Sequence, residues 1–329
     1  MHKIKENAKT MKRFLLSLVI ITLIFVIFMF PQETMTYAAT GLTLWFDNMV
    51  PALFPFMVIS SLIIRLDIAP YIVSFLHPVL KLLFRTDLYC EYAIVMGFLC
   101  GFPMGAIVIG DLLKEEKITQ PQADYLLSFC NNIGPVFFCT IVLPIFKPEY
   151  HFLLLFGMYG IPLFYGIIMR FIYRKAFANI PQKTSISSKT EEHFSIAFRE
   201  ALNSAVSSSL YLGACMIFFN MLRFIPAKLF KDNLLAQALL SWMLEVNGAI
   251  SFTGNLYSRG IELFSLCMMP FLALGGLSCI AQTAGILNET NCSLSKYIIH
   301  KLIQLFLWII LTLLWLLTHN LPVLLWLYF

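Results

Sequence analysis

Ten residues inside otherwise apolar stretches have the types and spacing to bind a small solute. In chain order they are Gly101, Pro103, Gly105, Asn131, Asn132, Gly134, Glu245, Asn247, Ser278 and Gln282. Glycine and proline interrupt helices, and an interruption at bilayer depth frees backbone groups that must be buried in protein or line a cavity. Half-helix N-termini attract anions, whereas freed carbonyl groups bind cations. The pattern therefore predicts a substrate-binding site in the middle of a membrane.

Glu245 has a separate predicted role, because a carboxylate deep in an apolar stretch is costly. On an insertion scale an acidic residue at the centre of a spanning helix costs about 2.5–3.5 kcal/mol. Such a group is usually protonated, paired or in contact with a watery cavity. We expect Glu245 to take up a coupling proton or to help bind a coupling cation; the alternative is a lone structural hydrogen bond.

The interruptions also have a purely structural interpretation. Small residues allow helices to pack closely, and Pro135 on its own would make a hinge. The amide side chains of Asn131 and Asn132 offer donors and acceptors that a hinge does not require, so a binding function is the favoured hypothesis.

Enzyme chemistry has no support in the sequence. The eight cysteines form no C-x-x-C pair, the six histidines form no H-E-x-x-H, and neither a phosphate-binding loop nor a G-x-S-x-G elbow is present. We expect neither an enzyme nor a cofactor, and no nucleic acid partner, since no basic stripe with interleaved aromatics occurs.

The elements that position these residues are spanning helices. Of 329 residues 59% are hydrophobic and 12% are charged, about half the charged fraction of soluble domains. Apolar segments run over residues 14–30, 42–66, 92–110, 125–146, 152–173, 205–224, 234–253, 263–287 and 297–317. The predicted fold is an all-α polytopic membrane protein of about eight to nine apolar segments with broken or re-entrant helices.

Lysine and arginine positions predict the topology, since short cytoplasmic loops are enriched in both. The basic residues place three regions in the cytoplasm: the N-terminus, the Arg65 to Arg85 stretch and the central loop. Three apolar segments separate the last two of these regions, so one of the three segments must not cross the membrane. Residues 92–110, with their glycines and Pro103, are predicted to form a re-entrant hairpin. Two interrupted segments in each half predict an internal, inverted repeat.

Four regions are predicted along the chain. Residues 1–40 form an N-terminal transmembrane helix with its flanks, and residues 41–173 form the first half. Residues 174–204 hold a cytoplasmic loop and an amphipathic helix, and residues 205–329 form the second half with the C-terminal helix.

The pattern resembles a known family, the YlbJ-type sporulation integral membrane proteins of endospore-forming bacteria, which carry the nucleoside-recognition or Gate domain. The resemblance rests on the W-x-D-x-x-x-P-x-L-x-P-F pattern from Trp45 to Phe56 and on the stretches 101–106, 129–135, 245–248 and 275–282. It implies a Gate-like transmembrane domain and movement of dipicolinic acid from the mother cell towards the developing spore.

The leading hypothesis is a secondary carrier for a small anionic solute across a bacterial cell membrane. Expected partners are the solute, membrane lipid and a coupling ion, H+ or Na+; assembly into a homo-oligomer is left open. The apolar segments and the basic residues predict a multi-pass protein with the N-terminus cytoplasmic. The resemblance implies a location in the mother-cell-derived membrane around the forespore. The alternative is a non-transporting assembly or signalling protein of the spore membrane.

Overall fold

Large apolar side chains cover the outside of the molecule, as expected of a protein that faces lipid. The computed structural model describes residues 2–177, 191–288 and 290–319. Phe75, Val136 and Phe152 each expose three quarters or more of their surface, whereas a water-facing surface would place charged groups there. Within the described residues the secondary structure is helical, and five helices are long and apolar enough to cross a membrane. The predicted all-α polytopic fold is confirmed.

The helices follow one another with short connections. Their bounds are His2–Met29, Pro31–Arg65, Ala69–Val73, His77–Phe84, Leu88–Cys100, Met104–Lys114, Gln120–Leu127, Pro135–Ile145, Pro148–Ile172, Arg174–Phe177, Glu191–Leu222, Phe224–Leu229, Leu234–Leu244, Val246–Ser258, Glu262–Met268, Met269–Ala273, Gly276–Leu287 and Leu294–His319. Several of the long helices include π-helical turns, for example Leu44–Met49.

Ion pairs define two opposite ends of the helical bundle. At one end, called the Arg65 face, Arg65 pairs with Glu115 at 3.2 Å and with Glu200 at 2.5 Å. At the other, called the Lys147 face, Lys147 pairs with Glu262 at 2.9 Å, and hydrogen bonding to this carboxylate raises the pKa of the Lys147 ammonium. The five long apolar helices connect one face to the other.

Residues 88–114 form the first hairpin, which enters from the Arg65 face and returns to it. Near its start, the Tyr92 hydroxyl lies 3.0 Å from the Ser60 hydroxyl. Just beyond its end, Lys117 pairs with Asp67, two residues after Arg65. Each arm is about 20 Å long or less at 1.5 Å per residue, too short for about 30 Å of hydrocarbon. The predicted re-entrant hairpin is present.

Residues 234–258 form a second hairpin, which enters from the Lys147 face. The sequence predicted a spanning segment at 234–253, and this was wrong: the chain turns back at Glu245, whose backbone is extended. The Trp242 indole donates to the Thr253 hydroxyl at 3.0 Å, joining the two arms. The returning arm ends at the Lys147 face, where the Lys147 backbone N–H donates to the Tyr257 hydroxyl at 3.2 Å.

The two hairpins belong to an inverted repeat. Each half contains, in order, a long helix, a hairpin, a broken crossing helix and another long helix, and the second half runs the opposite way between the two faces. The broken helices are residues 120–145, interrupted between Leu127 and Pro135, and Glu262–Leu287, interrupted at Gly275. The predicted inverted repeat therefore describes the observed topology.

Two predicted region boundaries fall inside continuous helices. The helix Pro31–Arg65 runs through the boundary at residue 40, and Glu191–Leu222 runs through the boundary at residue 204. The amphipathic stretch predicted at 194–203 is thus the first part of a crossing helix. Most of the central loop lies outside the described residues.

Candidate functional site

Glycines bring the tip of the first hairpin onto the first broken helix. Gly97 and Gly105 face the Cys130 carbonyl so closely that a Cβ on either would overlap it. Gly101 has a φ of +83° and lies against the backbone of Gly134. Only residues without a side chain allow this approach. Gly101, Gly105 and Gly134, predicted as site residues, are therefore brought together, and Pro103 lies beside them at the hairpin tip.

The stretch between Leu127 and Pro135 begins with a turn and then has no regular secondary structure over residues 131–134, so several of its carbonyl groups need side-chain partners. Side chains supply them. The Gln304 amide donates to the Ser128 carbonyl at 2.6 Å, the Asn132 amide donates to the Phe129 carbonyl at 2.6 Å, and the Tyr159 hydroxyl donates to the Ile133 carbonyl at 3.0 Å. This stretch is a fixed part of the core, with defined polar partners.

Asn131 and Asn132 are both fully buried and both reach the second half of the chain. The Asn131 amide donates to the Thr283 hydroxyl at 3.2 Å and to the Tyr297 hydroxyl at 3.0 Å, while its carbonyl oxygen Oδ1 has no hydrogen-bond partner. The Asn132 carbonyl oxygen accepts from Lys301 Nζ at 2.9 Å. The two predicted amides therefore join the halves at the centre of the molecule.

Lys301 is a central residue that sequence reasoning missed. It lies on the last helix, Leu294–His319, is fully buried, and its Nζ stands 4.9 Å from the centre of the Phe102 ring at the tip of the first hairpin. A signal was available: Lys301 is a basic residue inside the apolar segment 297–317, and with Tyr297 and Gln304 it forms a polar stripe at helical spacing.

Glu245 occupies the tip of the second hairpin and caps its returning arm. Its carboxylate accepts from the Asn247 backbone N–H at 3.0 Å, from the Asn247 amide at 2.8 Å and from the Gly248 N–H at 2.8 Å. These bonds satisfy free donors at the start of Val246–Ser258 and place a negative charge at its positive end. Asn247 is thus brought to Glu245, as predicted.

Arg223 is a second basic residue near the centre that the sequence analysis did not single out, and it is half-buried. Its guanidinium lies against the backbone of Gly248, where a Cβ would overlap it, and it donates to the Asn220 side-chain oxygen at 3.0 Å. This location brings a positive charge close to the Glu245 carboxylate. The three capping bonds, with this positive charge nearby, account for a carboxylate that is only 1% exposed.

The two hairpin tips converge on the second broken helix. A Cβ on Gly275 would lie 3.2 Å from the Phe102 ring of the first hairpin. A Cβ on the neighbouring Gly276 would lie 3.3 Å from the backbone nitrogen of Glu245 in the second hairpin. Both glycines have a φ of +72°, which other residues rarely adopt. Elements entering from opposite faces therefore meet within one small region.

Ser278 and Gln282, the last predicted site residues, follow on the half-helix Gly276–Leu287. The Gln282 amide donates to the Ser278 hydroxyl at 3.1 Å, and both side chains are buried. They bond to each other, one turn apart, and not to the other predicted residues. Thr283, which the prediction omitted, makes the bond to Asn131 instead.

The electrostatic balance of the centre is positive. The half-helices Met104–Lys114 and Gly276–Leu287 begin there without a side-chain cap, so the positive ends of their dipoles lie at the centre. Lys301 adds a basic group, and Glu245 already caps the second hairpin near Arg223. Among the described residues no group of three histidine, cysteine or acidic side chains has the geometry of a metal site. The arrangement suits an anion.

Comparison with known proteins points in the direction of the sequence resemblance. The chain is 28% identical over 311 aligned residues to the sporulation integral membrane protein YlbJ of Bacillus subtilis strain 168, a match that covers 83% of this chain and 75% of that protein. No family model and no solved structure matches, so the Gate-domain expectation stays a prediction. The extent of the similarity and the multi-pass helical architecture support the assignment of this chain to the YlbJ-type sporulation integral membrane proteins.

Proposed function

We propose that this chain is a secondary carrier for a small anionic solute. The observation that carries the proposal is the convergence of two hairpins, one from each face, on two broken helices in the middle of an inverted repeat. Secondary carriers place their substrate sites at such interruptions near the bilayer midplane. A purely structural bundle would not need two sets of broken helices at the same depth, because each break frees backbone groups.

Alternating access follows from the placement of the hairpins. The first hairpin closes the path from the Arg65 face, and the second closes the path from the Lys147 face. Asn131, Asn132 and Lys301 are all buried between them, so neither path is open in this conformation. Moving one hairpin away from the broken helix beneath it would expose the centre to one face at a time.

Solute coupling is proposed to act through the tip of the second hairpin. Glu245 is the one acidic residue that we assign to the centre, and its charge is balanced by capping bonds and by Arg223. A proton or Na+ that reached this carboxylate would weaken the cap of Val246–Ser258 and so favour movement of the hairpin. Coupling and gating would then use the same residue.

The solute we propose is dipicolinate, and the proposal draws on the family resemblance. Dipicolinate is a small planar dianion, and uncapped helix N-termini with a buried ammonium suit carboxylates. The relative in Bacillus subtilis is a sporulation membrane protein, which fits a location in the mother-cell-derived membrane around the forespore.

The orientation proposed is that the Arg65 face is cytoplasmic. This face carries Arg65, Lys81, Arg85, Lys114, Lys117, Arg170, Arg174, Lys175, Arg199 and Lys296, whereas the Lys147 face carries Lys147, Lys228, Lys231 and Arg259. The excess of basic residues is the usual cytoplasmic signature, and it agrees with a cytoplasmic N-terminus.

The direct test is uptake by the purified full-length protein in liposomes. Radiolabelled dipicolinate is supplied outside, with an imposed proton or Na+ gradient, and the neutral diamide of the same ring serves as the control for charge. We expect uptake of the dianion and none of the diamide. Absence of dipicolinate uptake under every gradient, with folded protein in the membrane, would overturn the proposed solute.

A spore assay separates the carrier from the assembly protein. A strain lacking the gene is complemented with the intact chain or with an uptake-deficient variant that inserts normally. A carrier requires that only the intact chain restores dipicolinate in spores. Restoration by the uptake-deficient variant would favour the assembly role.

A further inference from the structure

Lys301 is a basic residue that is fully buried, and no described carboxylate pairs with it. Its Nζ donates to one oxygen, Asn132 Oδ1 at 2.9 Å, and the face of the Phe102 ring lies 4.9 Å away. An ammonium group has three N–H donors. The one hydrogen bond and the ring therefore leave N–H donors of the ammonium without an acceptor. No described carboxylate neutralises its charge.

The surroundings of Lys301 are also rich in unused polar capacity. Gln304, one turn further along the same helix, has a buried side-chain oxygen with no partner, and so does Asn131. Phe102 lies two residues before the start of Met104–Lys114, and its ring approaches Gly275 at the start of Gly276–Leu287; neither helix start carries a side-chain cap. Buried polar groups are normally satisfied, and a cluster of exceptions marks a place where another molecule binds.

A structural role alone does not explain a lysine here. Burying an unpaired basic group is costly, and an apolar residue of similar volume would avoid this cost. The Phe102 ring offsets only part of it.

We propose that Lys301 is the carboxylate-binding residue of the carrier. Asn132 Oδ1 holds the ammonium in the closed conformation, and a carboxylate of the solute displaces it when the first hairpin moves Phe102 away. The uncapped start of Gly276–Leu287 then faces the bound anion. This inference rests on the proposed carrier function and names the group that selects its substrates, which are small carboxylates.

The test measures binding of radiolabelled dipicolinate to the purified full-length protein, with benzoate and the neutral diamide as competitors. Lys301→Met removes the charge and keeps a similar volume. Lys296→Met is the matched control, because Lys296 lies five residues earlier on the same helix, pairs with Asp124 at 2.7 Å and is exposed. We expect the Kd to rise about 10- to 100-fold for Lys301→Met, the usual loss for a charge-assisted hydrogen bond, and not for Lys296→Met.

Asn132→Asp gives a second test that does not depend on removing the lysine. The new carboxylate would stand 2.9 Å from Lys301 Nζ, where the amide oxygen lies now. It would bind the ammonium and so compete with the carboxylate of the solute. The substitution also removes the amide donor to the Phe129 carbonyl, so the new ion pair is expected to offset a loss of stability. We expect a folded protein in which dianion binding is weakened by at least about 10-fold. A merely structural lysine would gain a partner, and binding would not change.

The outcomes separate this inference from the function on which it rests. Binding by the intact protein that survives both Lys301→Met and Asn132→Asp would overturn the role of Lys301 and leave the carrier in place. Equal competition by the diamide and by the dianion would overturn carboxylate selection. No binding or uptake by the intact protein would instead overturn the proposed function itself.

Discussion

Replacement of Glu245 by alanine tests whether the second hairpin is held together as described. The substitution removes the acceptor of three hydrogen bonds of 2.8–3.0 Å, two of them from the backbone N–H groups of Asn247 and Gly248. It also leaves the Arg223 guanidinium without its nearby carboxylate. Loss of a helix cap costs about 0.5–2 kcal/mol. That cost covers the two backbone donors, and the Asn247 amide is the one further donor left unsatisfied, which costs about 1–3 kcal/mol.

The expected total is therefore about 2–5 kcal/mol. At about 2 °C per kcal/mol, the apparent Tm of the detergent-purified protein should fall by roughly 4–10 °C. Glu245→Gln keeps one acceptor oxygen and should cost about half as much. The control is Glu262→Ala, which removes a carboxylate paired with half-exposed Lys147 and should change the Tm by about 1 °C or less.

Tryptophan fluorescence during heating, at one scan rate and in one detergent, measures all three variants. If Glu245→Ala unfolds at the temperature of the intact protein, the capping bonds and the nearby charge of Arg223 do not stabilise the hairpin. If Glu245→Gln keeps most of its stability but loses gradient-driven uptake, the carboxylate has the coupling role predicted from the sequence.

Further variants test the packing and the topology. Gly105→Ala should lower the apparent Tm and abolish uptake, because its Cβ would overlap the Cys130 carbonyl. The control is Gly254→Ala, which should be tolerated because its Cβ would make only an ordinary 3.4 Å contact with Ile145. Single cysteines placed at Asn233 and Arg259, the two ends of the second hairpin, should react with an impermeant maleimide from the same side of the membrane; labelling from opposite sides would mean that the segment crosses.

The fold was largely predictable because lipid imposes simple rules on sequence. Long apolar segments, breaks at glycine and proline, and the distribution of basic residues gave the helices, the first hairpin and the inverted repeat. The second hairpin was not predicted, because its turn is made by Glu245 within a segment of ordinary spanning length and without proline. An extended backbone at one residue has no strong signature in composition.

The candidate site was predictable in part. Glycines and asparagines stand out in apolar segments, and Gly101, Gly105, Asn131 and Gly134 lie together as expected. Lys301 was overlooked because a basic residue near a helix start is usually solvated or reaches the interface. Only the tertiary arrangement, which places Asn132 and Phe102 over its ammonium, shows that it is buried.

The measurement that tests the carrier most directly is counterflow in liposomes. Purified full-length protein is loaded inside with unlabelled dipicolinate, and labelled dipicolinate is added outside at low concentration without an ion gradient. A carrier that opens to one face at a time should transiently accumulate label inside the liposomes above the outside concentration. Each unlabelled molecule that leaves turns the binding site to the outside, where it binds labelled solute and carries it in. Label that only equilibrates, at the same rate with or without internal dipicolinate, would contradict alternating access.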